Sequence, residues 1–155
     1  MMDARKITIG LSASAAIILS IANYEGFRSA PYIPVAGDVP TIGYGTTSGV
    51  TMHSAPVTKP EALVLLRKDV SKFEGAIKSC VRVPLHQHEY DAYTSLSYNI
   101  GGRAFCSSTL VRKLNSSDYA AACRQILRWN RFKGRELRGL TNRRQSEYKM
   151  CIGGG

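Results

Sequence analysis

The chain has 155 residues, of which 44% are hydrophobic and 21% are charged. These values describe one folded domain with a core of its own and exclude a wholly disordered chain. Lys and Arg outnumber Asp and Glu by 21 to 11, a formal charge of +10. Such a charge favours an anionic partner, whether nucleic acid, a membrane surface or a wall polymer, and composition does not choose among them.

An uncharged, weakly apolar stretch covers residues 7–22, directly after Arg5 and Lys6. As a helix its 16 residues would span about 24 Å, less than the roughly 30 Å hydrocarbon core of a bilayer. Three interpretations stay open: the buried first helix of a soluble domain, a cleaved signal peptide, or an uncleaved, weakly held membrane anchor. We favour the anchor, because cleavage after Ala22 would leave Glu25 on a frayed end.

The remaining elements are mostly helical. Residues 32–52 combine β-branched residues with Gly and Pro, which indicates a hairpin or a three-stranded sheet. The capping box Thr58-x-x-Glu61 predicts a helix over 59–79. Further helices are expected over 86–98, 108–114, 118–128 and 142–151. This order predicts an α+β fold with a small sheet lobe, a larger helical lobe and a cleft between them.

Two carboxyl groups carry the candidate chemistry. Glu25 ends the apolar stretch, and Asp38 lies in the polar hairpin that follows. Glycoside hydrolysis uses such a pair, one carboxyl as the proton donor and the other to stabilise charge or to activate water. The alternatives are a solvated helix end for Glu25 and a simple turn residue for Asp38, which follows Gly37.

Several motifs resemble phage-type lysozymes of glycoside hydrolase family 24. The similarity begins with Tyr24-Glu25-Gly26-Phe27-Arg28 and Thr41-Ile42-Gly43-Tyr44-Gly45-Thr46, and it continues through Tyr98–Gly101, Ser108–Leu110, Arg128-Trp129 and Gly139–Glu147. The resemblance implies a lysozyme-like fold over 24–155, with 1–23 as anchor or first helix. It also implies a muramidase, which cleaves the β-1,4 bond between N-acetylmuramic acid and N-acetylglucosamine in peptidoglycan without cofactor or metal.

The family spacing is Glu, then Asp nine residues on, then Thr six further on. Glu25 and Thr41 match, but Pro34 occupies the place of the Asp, and the hairpin is one residue longer. We predict that Asp38 replaces the missing carboxylate. Glu25 would then be the general acid, with a pKa raised by apolar neighbours. Asp38 would stabilise the oxocarbenium-like state or activate water, and Thr41 would orient that water.

Other residues have both a functional and a structural interpretation. Tyr98 and Asn99 match the family's cleft and are candidate substrate-binding residues, or else serve core packing and helix capping. Arg143 and Arg144 are expected to pair with acidic groups. On a helix, His86 and His88 would lie on different faces, so no metal site is expected from this pair.

Some members of the family are endolysins with a signal-arrest-release segment, and residues 7–22 resemble that segment. The resemblance implies a phage-encoded enzyme held at the host inner membrane through residues 7–22 and then released into the periplasm. Ala22 is close to Glu25 in sequence, so a tethered form would be inactive through a misplaced Glu25. Export would expose the four cysteines to oxidation. Three pairings are open, and Cys80–Cys106 with Cys123–Cys151 is favoured over reduced thiols.

Alternatives remain for the function. A lytic transglycosylase needs one Glu and no Asp. A wall-binding pseudo-enzyme would explain Pro34, and a membrane-disrupting protein would explain the basic residues of 128–149. That stretch is either a solvated face or an attraction to anionic polymer or lipid. No nucleic-acid module is evident, and we expect a monomer.

Overall fold

The computed structural model describes residues 4–154. The elements, in chain order, are α1 Ala15–Glu25, β1 Arg28–Tyr32, β2 Thr41–Gly43, α2 Lys59–Cys80, α3 Gln87–Ile100, α4 Gly102–Cys106, α5 Thr109–Asn115, α6 Tyr119–Gln125, β3 Arg131–Phe132, β4 Arg135–Glu136 and α7 Arg138–Cys151. Single 3₁₀ turns cover Thr8–Gly10 and Ile126–Arg128. The α+β prediction is confirmed. The chain forms two compact units, one of residues 15–72 and one of 4–14 with 73–154.

The sheet of the first unit is an antiparallel hairpin of two strands. Arg28 pairs with Gly43 and Tyr32 with Thr41, with an irregularity between them. The sequence prediction started this sheet at residue 32 and so missed β1. The strand carries Pro31 and has exposed or half-buried side chains throughout, so it lacks the alternation that marks a strand, and proline is tolerated only because β1 is an edge.

The capping box at the start of α2 is confirmed. The Glu61 carboxylate accepts a hydrogen bond from the Thr58 N–H at 2.8 Å, and the Thr58 hydroxyl accepts one from the Glu61 N–H at 3.3 Å. Early in this helix, Ala62 lies against β2. A Cβ on Gly43 would stand 2.9 Å from the Ala62 Cβ, and Gly43 has φ +65°. Glycine is therefore required there on both steric and conformational grounds.

The second unit contains the main hydrophobic core. Tyr90, Tyr93, Leu96 and Phe105 are fully buried in it, and α3 packs against α7. Disulfides join Cys80 to Cys106 and Cys123 to Cys151, which is the pairing favoured from the sequence. Each covalent link connects two helices around this core.

Three local features of this unit differ from the sequence prediction. Helix α4 was not among the predicted helices; it begins at Gly102, directly after α3 ends at the bend at Gly101, which has φ +96°. The β3–β4 hairpin was not predicted, since each strand has only two residues, all exposed. Helix α7 begins at Arg138, four residues before the expected start at 142.

The apolar character of residues 7–22 suggested one continuous helix, but the structure does not form one there. Residues 5–14, here called the N-terminal strap, contain only one 3₁₀ turn, and α1 begins at Ala15. Lys6 and Leu85 exchange two backbone hydrogen bonds of 2.8 Å, and the Gln87 side chain donates to the Ser12 carbonyl. No helix within residues 4–154 is long and apolar enough to cross a membrane.

Candidate active site

Glu25 is the last residue of α1, and its side chain is exposed. The helix stops there because Gly26 adopts φ +75°, a left-handed conformation typical of the residue that follows a helix. The Gly26 N–H donates to the Ala22 carbonyl at 3.0 Å. The chain then turns directly into β1, so a helix end and a strand start fix the backbone of Glu25 on both sides.

Asp38 lies in the connection between β1 and β2 and is exposed. Its N–H donates to the Val35 carbonyl at 2.9 Å, which closes a four-residue turn over 35–38. Asp is favoured at the first position of such turns, where its carboxylate accepts backbone bonds, whereas Asp38 is at the fourth. Within residues 4–154 its carboxylate has no hydrogen-bond partner, so the turn does not use the side chain.

Thr41 is the first residue of β2 and is buried, with 5% of its surface exposed. Its hydroxyl donates to the Val39 carbonyl at 3.1 Å. Val39 directly follows Asp38, so this bond ties the loop that carries Asp38 to the start of the strand. The hydroxyl oxygen can still accept a hydrogen bond.

Tyr98 and Asn99 lie in the last turn of α3. Tyr98 is half-buried and packs edge-on against Phe73, with ring centroids 5.1 Å apart. Asn99 is exposed, and the residue that caps the helix is Gly101, not Asn99. The amide oxygen of Asn99 accepts a hydrogen bond from Arg144 Nη1 at 2.8 Å. This bond fixes the orientation of the amide, whose NH₂ group is a donor.

Arg144 belongs to a buried charged cluster on α7. Its Nε lies 2.5 Å from a Glu147 carboxylate oxygen, and the two side chains are 1% and 2% exposed. The expected pairing of Arg144 with an acidic group is therefore confirmed. Burial raises the pKa of Glu147, while Arg144, the Ser95 hydroxyl and Arg143 oppose that rise. The ion pair with Glu147 fixes the position of the Arg144 guanidinium, which in turn orients the Asn99 amide.

The unit of residues 4–14 and 73–154, here called the helical unit, contains a pocket that the sequence did not predict. It has a volume of about 380 Å³ and is lined by Trp129, Arg112, Arg128, Gln125 and hydroxyl side chains of residues 107–109. The sequence signal for it is Arg128 beside Trp129, a cation next to an aromatic ring. An aromatic face with guanidinium and hydroxyl donors suits a sugar that carries a carboxylate.

His86 has a structural role. It caps α3, and its backbone N–H donates to a Glu89 carboxylate oxygen at 2.8 Å. Among the residues that the structure describes, no three His, Cys, Asp or Glu side chains form a group that could hold a metal ion.

Fold and sequence together define the class of protein. Residues 22–147 match the Phage lysozyme family, and the chain belongs to that family, whose members are glycoside hydrolases. It is 40% identical over 139 residues to the endolysin of Salmonella phage P22, covering 87% of this chain and 94% of that protein.

Two further comparisons agree. The chain is 36% identical over 130 residues to the SAR-endolysin of bacteriophage PS119, covering 84% of this chain and 77% of that protein. A crystal structure of a phage P22 lysozyme mutant superposes with a TM-score of 0.82 at 36% identity, covering 92% of this chain and 99% of that one. The predicted lysozyme-like fold and the glycosidase class are confirmed.

Proposed function

We propose that this protein is a phage endolysin that hydrolyses the β-1,4 bond between N-acetylmuramic acid and N-acetylglucosamine, with Glu25 and Asp38 as its two catalytic carboxyl groups. The observation that carries the assignment of Asp38 is its place in the 35–38 turn. The turn needs only the backbone of Asp38. The Asp38 carboxylate is exposed and is not used by the turn, so it is available for chemistry. Pro34, which stands at the family's Asp position, has no carboxylate to offer.

The reaction divides between the two groups. The protonated carboxyl of Glu25 donates its proton to the glycosidic oxygen as the bond to the anomeric carbon breaks. Positive charge then develops on the sugar, and the Asp38 carboxylate stabilises it or takes a proton from the attacking water. The water oxygen bonds to the anomeric carbon and gives a proton to Asp38 or to the deprotonated Glu25, and the products are a free hydroxyl and a reducing end.

Thr41 acts on this step through the loop and through its own oxygen. Its hydroxyl proton is engaged by the Val39 carbonyl, so the oxygen is left as an acceptor for a water molecule. That geometry supports a role in orienting water, and it also restrains the residue next to Asp38. We therefore assign Thr41 to positioning.

The helical unit supplies candidate substrate contacts. Arg144 occupies the oxygen of the Asn99 amide, which turns the NH₂ group into the available partner for the carbonyl of an N-acetyl group. Tyr98 offers a half-buried aromatic ring. The pocket beside Trp129 offers an aromatic face and guanidinium and hydroxyl donors to a sugar ring. These contacts make peptidoglycan the substrate that fits the side chains present.

We further propose export and release from the inner membrane, with the structure corresponding to the released form. Ile17, Ile18, Ile21 and Ala22 of the apolar stretch are buried here. The strap is bound by three buried carboxylates: Glu74 accepts from the Ala13 N–H, Asp91 from Ser14, and Glu89 from Arg5. In a membrane-bound form these carboxylates would lose those partners, and Glu25 would be held at the lipid surface.

Product analysis tests the activity. Purified protein is incubated with peptidoglycan, and the fragments are measured by mass. Fragments with reducing ends are the expected result. Fragments with 1,6-anhydro ends would instead identify a lytic transglycosylase, and binding without cleavage would identify a wall-binding pseudo-enzyme.

A second measurement tests release. The protein is expressed with its natural N-terminus, and the membrane and periplasmic fractions are assayed separately. We expect slow cleavage by the membrane fraction and faster cleavage once the same protein is detached. Equal specific activity in both fractions would contradict the proposal that tethering misplaces Glu25. The monomeric state and the absence of a nucleic-acid partner stay predictions.

A further inference from the structure

The β3–β4 hairpin, together with the first residue of α7, forms a cationic protrusion on the helical unit. All eight residues of 131–138, here called the cationic finger, are exposed. Four of them are Arg or Lys, and Glu136 is the single acid. The finger lies outside the residues that the proposed reaction uses, so its charge needs another explanation.

The two faces of the finger differ in character. Arg131 pairs with Glu136 across the hairpin, and Phe132 pairs with Arg135. Side chains alternate between the faces of a strand, so the Arg131–Glu136 face carries opposite charges. The other face carries Phe132 and Arg135. The hairpin ladder extends by a hydrogen bond from the Leu137 N–H to the Asn130 carbonyl, which places Leu137 on the Phe132 face.

The Phe132 face combines apolar surface with unopposed positive charge. Phe132 is 60% exposed and Leu137 is 42% exposed. The Lys133 ammonium at the tip lies 5.5 Å from the centre of the Phe132 ring. Exposed aromatic and aliphatic side chains among cations are typical of segments that insert into the interface of an anionic membrane.

Two cations of the finger occupy positions that local stability disfavours. Lys133 has φ +50° and is followed by Gly134 with φ +77°, a two-residue turn in which Asn or Gly is preferred at the first position. Arg138 lies in the first turn of α7, which contains no acidic residue, although the positive end of a helix dipole favours acids. A cation at position 133 and another at position 138 both lower the stability of the fold. Their presence is consistent with a role of Lys133 and Arg138 outside folding.

We propose that the cationic finger binds the surface of an anionic phospholipid bilayer, with Phe132 and Leu137 inserted among the headgroups and Lys133 and Arg135 against lipid phosphates. A hydrated wall polymer would account for the charge, but it offers no apolar phase for a leucine and a phenylalanine exposed on the same face. This contact is separate from residues 7–22, and it would hold the folded enzyme at a membrane surface. The inference goes beyond the proposed function and does not depend on it.

Vesicle co-sedimentation of the full chain tests the inference. Vesicles of phosphatidylcholine alone are compared with vesicles that contain 30% phosphatidylglycerol, about a third of the lipid, a proportion typical of an anionic surface. Binding to phosphatidylcholine alone measures, in every variant, the part of the binding that does not require anionic lipid. The double variant Lys133→Asn/Arg135→Gln removes two charges, and Asn suits the left-handed turn position, so the fold is retained.

We expect this variant to bind anionic vesicles about 25-fold more weakly, since each of the two charges removed changes binding to such a surface by about fivefold. The matched control Arg67→Gln/Lys68→Gln removes two exposed charges from α2 and should change binding by less than about threefold. Phe132→Ser should weaken binding at high salt as well, where charge attraction is screened.

Equal weakening in the finger variant and its control would overturn the inference, because net charge alone would then explain binding. No difference between the two vesicle types for the unaltered protein would also overturn it. If the finger variants lose binding to purified peptidoglycan sacs but keep binding to vesicles, the finger belongs to the wall polymer instead.

Discussion

Arg144 Nη1 lies 2.8 Å from the amide oxygen of Asn99, and the same guanidinium contacts the Glu147 carboxylate through Nε. One buried cation thus connects a structural ion pair to an exposed residue that we assign to substrate binding. A buried pair contributes little net stability, but loss of one partner leaves a charge uncompensated in a nonpolar environment. The stability of α7 and the orientation of Asn99 therefore depend on the same side chain.

Glu147→Ala should lower the free energy of unfolding by about 3–5 kcal/mol, because the buried Arg144 guanidinium loses its counter-charge. Urea denaturation followed by circular dichroism measures the change. The control Glu136→Ala removes an exposed carboxylate and should change stability by less than about 1 kcal/mol. Similar losses in both variants would contradict the importance of the buried pair.

The N-terminal strap should contribute measurably to the folded state. The Ser14 hydroxyl donates to the Asp91 carboxylate at 2.6 Å, and hydrogen bonds to charged groups contribute about 1.5–3 kcal/mol. Ser14→Ala should lower the free energy of unfolding by that amount. Ser71→Ala is the matched control, since the Ser71 hydroxyl is exposed and, among the described residues, bonds only to the Lys68 carbonyl within its own helix. Equal changes in the free energy of unfolding for Ser14→Ala and Ser71→Ala would contradict the prediction and indicate that the strap is not bound in solution.

Reduction of the disulfides should destabilise the protein. The two bonds close loops with sequence separations of 26 and 28 residues, for which constraint of the unfolded chain predicts about 3.5 kcal/mol each. The urea midpoint of the unaltered protein should fall when dithiothreitol is added. In the variant Cys80→Ala/Cys106→Ala, which keeps one disulfide, dithiothreitol should lower the urea midpoint by about half as much. A midpoint that reductant leaves unchanged would mean that the purified protein lacks these bonds.

Stability should decline in alkali. Burial is the main cause that raises the pKa of Tyr90 and of Tyr93, with added contributions from Glu74 and Glu89 respectively. Both phenols stay protonated in the folded protein while the unfolded chain ionises near pH 10. Their contribution is thus complete below about pH 10 and is lost as pH rises above it, with a slope of up to about 1.4 kcal/mol per pH unit for each group.

Urea denaturation at a series of pH values from 9 to 11, roughly spanning the pKa of a free tyrosine, measures this slope. Tyr93→Phe removes one of the two groups and should reduce it. An unchanged slope in that variant would show that Tyr93 ionises equally in the folded and unfolded states.

The sequence predicted the elements whose signals are local and strong. The Thr58–Glu61 capping box and the 3.6-residue spacing of apolar residues mark α2 without reference to the rest of the chain. The same periodicity marks one face of α3, where Tyr90, Tyr93 and Leu96 are fully buried.

What the sequence did not predict depends on tertiary contacts. The apolar stretch suggested one long helix, but the strap is held in a non-helical form by carboxylates from α2 and α3 that are more than 60 residues away in sequence. The β3–β4 hairpin carries no hydrophobic alternation, and its strands are too short to leave a pattern. The orientation of Asn99 follows from Arg144, which is 45 residues away in sequence.

The central claim is that Glu25 and Asp38 together perform the cleavage. The most direct test measures rates of peptidoglycan solubilisation for the unaltered protein, Glu25→Gln and Asp38→Asn. The controls are Glu61→Gln and Asp118→Asn, which make the same chemical changes at helix caps that tolerate them. We expect a loss of at least about a hundredfold in both site variants, as for the removal of a general acid or base, with nearly full activity in the controls. A fully active Asp38→Asn would contradict the account, since Asp38 would then be only a residue of the 35–38 turn.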